Sequence, residues 1–136
     1  MPELQKIIPD HYEELSVTKE YKLNPDWESY LTMDRANMLK VITCRNDSEL
    51  IGYIIFFIKP HLHYADCLTA FEDIYYLKKE YRKGRTGIKL FKLAEEYLKS
   101  IGVNRVMYGT KVHLDKSSLF EYLGYKFIEK LYSKLI

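Results

Sequence analysis

The segment Tyr81-Arg82-Lys83-Gly84-Arg85-Thr86-Gly87-Ile88-Lys89-Leu90-Phe91 constrains the fold more than any other part of the chain. An aromatic, β-favouring run, Ile74 to Leu77, leads into a basic turn with two glycines, and that turn opens directly into an amphipathic helix. A helix start leaves its first backbone N–H groups unpaired and carries partial positive charge, so Arg82, Lys83 and Arg85 beside it suit a pyrophosphate. Gly84 and Gly87 allow the backbone to approach such a ligand closely. The junction reads equally as a plain strand-to-helix turn whose basic residues are solvated. It contains neither G-x-x-x-x-G-K-S/T nor G-x-G-x-x-G, which removes the nucleoside-triphosphate and dinucleotide fingerprints.

The helix that follows is the best-defined element. Gly87, Phe91, Ala94, Leu98 and Ile101 share one stripe, with Leu90 and Tyr97 beside it, while Lys89, Lys92, Glu95, Glu96 and Lys99 face away. Gly102 supplies a left-handed end. Upstream, a short helix is expected near Asp10 to Leu15. A second helix starts at Asn24-Pro25-Asp26-Trp27, with Asn24 as cap and Pro25 as first helical residue, and runs to about Met38. Leu39 to Cys44 and Leu50 to Ile58 read as strands joined by the polar turn Arg45 to Ser48. After a loop at Lys59 to Asp66, a third strand spans about Leu68 to Leu77. Beyond the long helix come a strand within Val103 to Val112, a short helix from Asp115 to Leu123 ending at Gly124, and a final pair of strands in Tyr125 to Ile136. This order describes a mixed α/β layer fold, with helices packed on a central sheet.

Composition narrows the functional classes. The chain has 136 residues, 47% hydrophobic and 29% charged, enough for one core and an ordinary globular balance. Its formal net charge of +2 does not indicate nucleic acid. Thirteen Tyr and six Phe imply aromatic packing with hydroxyls that need partners. Cys44 and Cys67 make neither a metal spacing nor a disulfide framework, which suits a reducing cytosol. The longest apolar run, Ile51 to Ile58, is too short to span a bilayer, and no leader-like apolar core is present. A cytoplasmic protein with no membrane partner is expected.

The pattern R-x-x-x-x-G after a strand and Glu80-Tyr81 resembles the acyl-CoA loop of the GNAT superfamily of N-acetyltransferases, whose usual form is Q/R-x-x-G-x-G/A. Arg82 and Gly87 occupy its first and last positions, and Arg85 stands where the middle glycine is usual. The likeness runs from about Trp27 to Ile136. The run R-K-G-R-T-G, together with Pro60-His61-Leu62-His63-Tyr64, is similar to small members often encoded by bacteriophages and prophages. The resemblance implies a single α+β domain over 1–136, a mixed central sheet with helices on both faces, and a first strand that is not evident in Met1 to Pro9.

It also implies acetyl transfer from acetyl-CoA to a primary amine, without a metal. The amine must lose a proton before attacking the thioester, and a nearby carboxylate can contribute roughly a hundred- to ten-thousand-fold as general base. Asp73 is the first choice and Glu72 the second; neighbouring strand residues point to opposite faces, so only one should meet the substrate. The alternative is that both are strand-edge acids paired with Lys or Arg. Backbone groups at Tyr75, Tyr76 and Leu77 correspond to those that contact the pantetheine arm and thioester, and the segment Arg82, Lys83, Gly84, Arg85, Thr86, Gly87 and Ile88 to the pyrophosphate loop. His113 falls where a cofactor-contacting Asn is frequent. The tyrosine that often protonates the departing thiolate is replaced by Phe120, which leaves Tyr122 or Tyr108 as substitutes, or no acid at all. His61, His63 and Tyr64, with Trp27 and Tyr30 opposite, are expected to line the acceptor site, although a solvated loop and a core helix face account for them too. A homodimer is compatible with these features. The competing class is a GNAT-like binding protein, catalytically weak or inactive, that contacts a macromolecular partner.

Overall fold

The computed structural model describes residues 2–16 and 20–136. Among these described residues, four helices and four strands follow in the order α1 (Pro2–Leu15), α2 (Trp27–Arg35), β1 (Leu39–Asn46), β2 (Glu49–His61), β3 (Tyr64–Leu77), α3 (Thr86–Ser100), β4 (Arg105–Met107) and α4 (Ser117–Tyr122), with a 3₁₀ turn at Lys79–Tyr81. The sheet order is β1-β2-β3-β4; the first two pairings are antiparallel and the last is parallel.

Strand β2 explains the layering. Its residues Leu50 to Phe56 and Ile58 are all buried, as a strand covered on both faces requires. Ile54, Phe56 and Ile58 pack with Leu90, Phe91, Ala94 and Leu98 of α3 and Phe120 of α4. Tyr53 and Ile55 turn to the opposite face and pack with Leu4, Ile7 and Ile8 of α1, with Trp27, Tyr30 and Met33 of α2 alongside. Helices therefore cover both faces of a mixed sheet, and each fully buried Leu, Ile or Phe contributes about 1.5–3 kcal/mol of apolar burial. Gly52 is needed for close approach: a Cβ there would lie 2.7 Å from the Tyr76 carbonyl oxygen and 2.8 Å from Leu77 Cδ1.

Several boundaries differ from the sequence reading. Helix α1 begins at Pro2 rather than Asp10, because Leu4, Ile7, Ile8 and His11 form one buried stripe that carries the helix through Pro9. The cap of α2 is Asp26, not Asn24: its Oδ1 accepts the Ser29 N–H at 3.0 Å, which leaves Pro25 outside the helix. That helix stops at Arg35, and Asn37 then turns left-handed at φ 61°. The expected loop at Lys59 to Asp66 is mostly strand, with only Leu62 and His63 as the turn. On α3, Leu90 joins the core while Tyr97 and Ile101 stay exposed. The paired strands expected in Tyr125 to Ile136 are absent among the described residues. No described helix is long and apolar enough to cross a membrane.

Candidate active site

Strands β3 and β4 pair only at Thr69↔Arg105, Ala70↔Val106 and Phe71↔Met107, and past that point β3 continues without β4 beside it. The Lys78 N–H donates to the Ile51 carbonyl at 2.8 Å. Strand alternation therefore directs the N–H and C=O of Tyr75 and Leu77 to the opposite edge, which faces the opening. Beyond Leu77 the chain passes through the 3₁₀ turn and Gly84, whose φ of +96° is left-handed, and enters α3 at Thr86. Arg85 caps that helix with no side-chain bond, and Lys89 is the first residue whose N–H reaches back, to the Arg85 carbonyl at 3.0 Å. The N–H groups of Thr86, Gly87 and Ile88 thus point into the turn as a set of anion donors. A Cβ on Gly87 would meet only Leu77 Cδ2, at 3.9 Å, so packing leaves space in front of these donors. Lys83, Arg85 and Lys89 stand exposed around them.

Arg82 does not join this set through its side chain. Its guanidinium forms a two-pronged ion pair with the Glu14 carboxylate, with Nη2 at 2.8 Å from Oε2. Its Nε donates to the Leu77 carbonyl at 2.6 Å, and the group lies over the Tyr76 ring at 5.5 Å. Pairing with Arg82 holds the Glu14 carboxyl below its ordinary pKa. Glu14 was not legible as a site residue. The sequence offered only its place in the short helix expected near Asp10 to Leu15.

The two candidate carboxylates separate at a β-bulge. The ladder pairs Ile55 with Ile74 and Phe56 with Glu72, which leaves Asp73 unopposed. Asp73 accepts a hydrogen bond from the Tyr30 hydroxyl of α2, whereas Glu72 lies on the other side and accepts the Gly109 N–H at 3.0 Å across the β3–β4 opening. Burial raises both carboxyls, Glu72 to about 7; the Gly109 bond opposes the rise at Glu72, and the Tyr30 bond opposes it at Asp73. Burial first, and then the bond to Asp73, pushes the Tyr30 hydroxyl up.

The wall on the α3 side is aromatic. Tyr75 packs edge-on against Phe91, Tyr108 and Phe120, at ring-centroid distances of 5.4, 6.3 and 5.8 Å, and burial pushes its hydroxyl to about 12. Tyr108 stacks on Phe120 at 4.9 Å, and its buried hydroxyl has no hydrogen-bond partner. Tyr122, expected as an acid, is 70% exposed on the outer side of α4, with Lys92 over its ring; two helical residues past buried Phe120, it must face away from the opening. His113 donates from Nε2 to the Glu14 carbonyl at 3.1 Å, so it meets the end of α1. Tyr76 is buried on that same side, stacked on His11 at 4.9 Å.

On the α2 face, aromatic side chains run from Trp27 to Tyr30 at 5.9 Å and from Tyr30 to Phe57 at 6.4 Å. Phe57 pairs across the ladder with Phe71, which stacks with His61 at 6.0 Å; His61 in turn meets Tyr64 and His63. The structure thus joins the two expected walls through Phe57 and Phe71, which sequence reasoning had not singled out. Among the described residues no group of three His, Cys, Asp or Glu could hold a metal.

The family profile "Acetyltransferase (GNAT) family" matches residues 1–125. The chain belongs to the GNAT family of acetyltransferases. No curated protein sequence is significantly similar to it. Among solved structures, the ribosomal-protein-alanine N-acetyltransferase from Brucella melitensis biovar Abortus 2308 shares 14% identity with a TM-score of 0.72, over 99% of this chain and 92% of that one. A transcriptional regulator from Bacillus halodurans C-125 shares 17% with a TM-score of 0.75, over 97% and 95%. The aminoglycoside acetyltransferase meta-AAC0020 from an uncultured soil metagenomic sample shares 14% with a TM-score of 0.71, over 99% and 88%. At these identities the similarity is one of fold, and it is the GNAT fold that this chain adopts.

Proposed function

We propose that this GNAT domain transfers an acetyl group from acetyl-CoA to a primary amine, within a ternary complex and with a carboxylate as base. The observation that carries the reading is the bulge at Asp73 beside the β3–β4 opening. Asp73 takes the proton from the ammonium, and Tyr30 holds its carboxylate in place. Burial raises the Asp73 carboxyl, the direction that makes it a better proton acceptor. Glu72, on the other side of the strand, keeps the opening in shape through Gly109 and is the second candidate for the base.

The α3 N-terminus binds the pyrophosphate through the N–H groups of Thr86, Gly87 and Ile88. Gly84 supplies the turn, and Lys83 and Arg85 supply the charge. Backbone groups of Tyr75 and Leu77 receive the pantetheine and thioester, for which acetyl-CoA supplies the acyl group. Tyr76 contributes from behind by seating Arg82, and His113 by holding the end of α1. No ionisable group occupies position 120. The thiolate leaves unassisted, helped by a thiol pKa near 8.5, or takes the proton of Tyr108, whose hydroxyl has no other partner. Tyr122 does not serve here, being on the surface.

The acceptor site is the aromatic face of Trp27, Tyr30, His61, His63 and Tyr64. One neighbour in fold is named for ribosomal-protein alanine and another for aminoglycosides, and both names support an amine acceptor. The likeness to small phage-encoded members rests on the loop and the Pro60 to Tyr64 motif and names no acceptor. A cytosolic setting, where acetyl-CoA is at hand, completes the reading.

The second reading, a binding protein, is favoured by the engagement of the Arg82 fork with Glu14. Thermal stabilisation by acetyl-CoA, followed by CoA release in the presence of mixed amines, decides between them. Stabilisation with turnover supports transfer, and stabilisation without turnover supports the binding protein. No stabilisation removes acetyl-CoA from both.

A further inference from the structure

The aromatic face beside Asp73 changes charge along its length. At one end Asp73 accepts the hydrogen bond of Tyr30, whose ring stacks with Phe57 at 6.4 Å. Phe57 lies opposite Phe71 in the β2–β3 ladder, where directly paired side chains sit about 4.5–5.5 Å apart at Cβ. Phe71 and Asp73 are two residues apart on the same side of the bulge, so both project from the α2 face, about 7 Å from each other along the strand. At the far end the Lys59 ammonium stands over the Phe71 ring, 5.1 Å from its centroid, and His61 stacks with the same ring at 6.0 Å. Lys59 pairs with Thr69, about 13 Å along β3 from Asp73.

These groups remain open to a ligand. Tyr30, Phe57 and Phe71 are half-buried rather than sealed in the core, and Lys59 is exposed. The ion pairs among the described residues use Arg45, Lys78 and Arg82, and Lys59 is not one of their cations. A carboxylate attracts an ammonium, a half-exposed ring receives flat apolar surface, and an exposed ammonium attracts an anion. The face therefore presents three kinds of recognition in a fixed order.

We propose that this face takes an amine whose aromatic ring bears an anionic group, with the ammonium at Asp73, the ring on Phe71 and the anion on Lys59. The assignment rests on the transfer reading above for its reacting end and adds what recognises the rest of the acceptor. The incoming ring takes the place of the Lys59 ammonium over Phe71. The flexible four-carbon stem of Lys59 lets that ammonium move aside and meet the anion. Attraction at both ends holds the acceptor in one direction, amine toward the thioester. Polyamines and aminoglycosides are disfavoured, because a further ammonium on them meets Lys59 in place of a carboxylate.

Four acceptors test this: para-carboxyphenethylamine carries the full pattern, phenethylamine lacks the anion, and spermidine and kanamycin carry further ammonium groups. Turnover is read as CoA release from acetyl-CoA. Binding is read separately, with CoA in place of acetyl-CoA, from the fluorescence of Trp27, the one tryptophan of the chain, whose ring lies 5.9 Å from Tyr30. The acid should bind and react best, with an advantage over phenethylamine of roughly tenfold, the scale of one hydrogen bond to a charged group. Lys59→Met keeps the stem and should erase that advantage, and Lys59→Arg should restore it. An advantage that survives Lys59→Met, or equal use of the acid and phenethylamine by the parent, overturns the proposal. Spermidine or kanamycin as the best acceptor overturns it too, while leaving acetyl transfer standing. Lys59-dependent binding of the acid without CoA release from any amine supports the recognition proposed here and removes the transfer reading. Absence of binding by the acid overturns the proposal.

Discussion

The two faces of the sheet are built from the same residue types and do different things with them. On the α3 side, Phe56, Tyr75, Phe91, Tyr108 and Phe120 meet mainly edge to face, and the Tyr108 hydroxyl is left without a partner. On the α1 and α2 side, the rings carry polar partners: Tyr30 with Asp73, Tyr53 with His11 at 2.6 Å, and Tyr76 beneath the Arg82–Glu14 pair. One face spends its aromatics on packing, the other on orienting ionisable groups. Aromatic composition alone does not distinguish a core from a site. The partner of each hydroxyl does.

Deletions should separate the faces most sharply. Phe91→Ala, on the packing face, is expected to lower unfolding free energy by about 3–5 kcal/mol in urea titration. Tyr30→Phe, on the other, should cost less than about 1.5 kcal/mol while reducing turnover. If Tyr30→Phe proves the more destabilising change, the division of labour is wrong.

Chemistry comes next. Asp73→Asn is expected to lower turnover by about a hundredfold or more, with acetyl-CoA affinity kept and part of the loss recovered at high pH, where the free amine is abundant. Glu72→Gln should be mild in the same assay. The reverse ranking would move the base to the Gly109 side of the bulge.

A smaller effect is expected at the loop. Arg82→Ala leaves the half-buried Glu14 unpaired and should destabilise by about 1.5–3 kcal/mol. Removing Glu14 as well should recover part of that, as one shared bond predicts. Additive losses in this double-mutant cycle would show that the pair contributes no coupling.

The smallest effect is the dependence of stability on pH. The Glu72 carboxyl rises from an ordinary 4.5 to about 7 in the folded chain. Its relative stabilisation is therefore complete below about 4.5 and lost as pH rises through about 7. Glu72→Gln should melt higher than the parent at pH 8, with that gain shrinking toward pH 5. His11, lowered by burial from 6.5 to about 4, has the opposite slope: its contribution is present above 6.5 and lost as pH falls through about 4. His11→Gln should flatten the acid side of the melting curve, and an unchanged slope would count against a buried neutral imidazole.

The sequence reading recovered what depends on local pattern. The β1–β2 hairpin, the strand-to-helix loop, α3 and the left-handed Gly102 all announce themselves within a few neighbouring residues. Strand alternation predicts that Asp73 and Glu72 face apart, and they do, but the alternation breaks immediately afterwards, between Asp73 and Ile74, at a bulge that no turn residue signals. Helix α1 is longer than the short helix expected near Asp10 to Leu15, because the burial of Leu4, Ile7 and Ile8 that carries it through Pro9 is a tertiary fact. The Arg82–Glu14 pair joins residues 68 positions apart, and nothing local encodes it. The strands expected in Tyr125 to Ile136 do not form among the described residues; a strand needs a paired edge as well as a pattern of side chains.

An unopposed residue in a ladder also limits how the chain can vary. On one side of Asp73 the strand counts its faces from Ala70 and Phe71, on the other from Ile74 and Tyr75, and the two counts are out of step by one. Substitutions in this stretch exchange one side chain at a time. Loss of the unopposed residue would bring the counts into step with Tyr75 and Tyr76 still on their own faces, and would take away the carboxylate that meets Tyr30. Descendants of this sequence are therefore free to trade ring for ring along β3, but its length at the bulge is inherited whole.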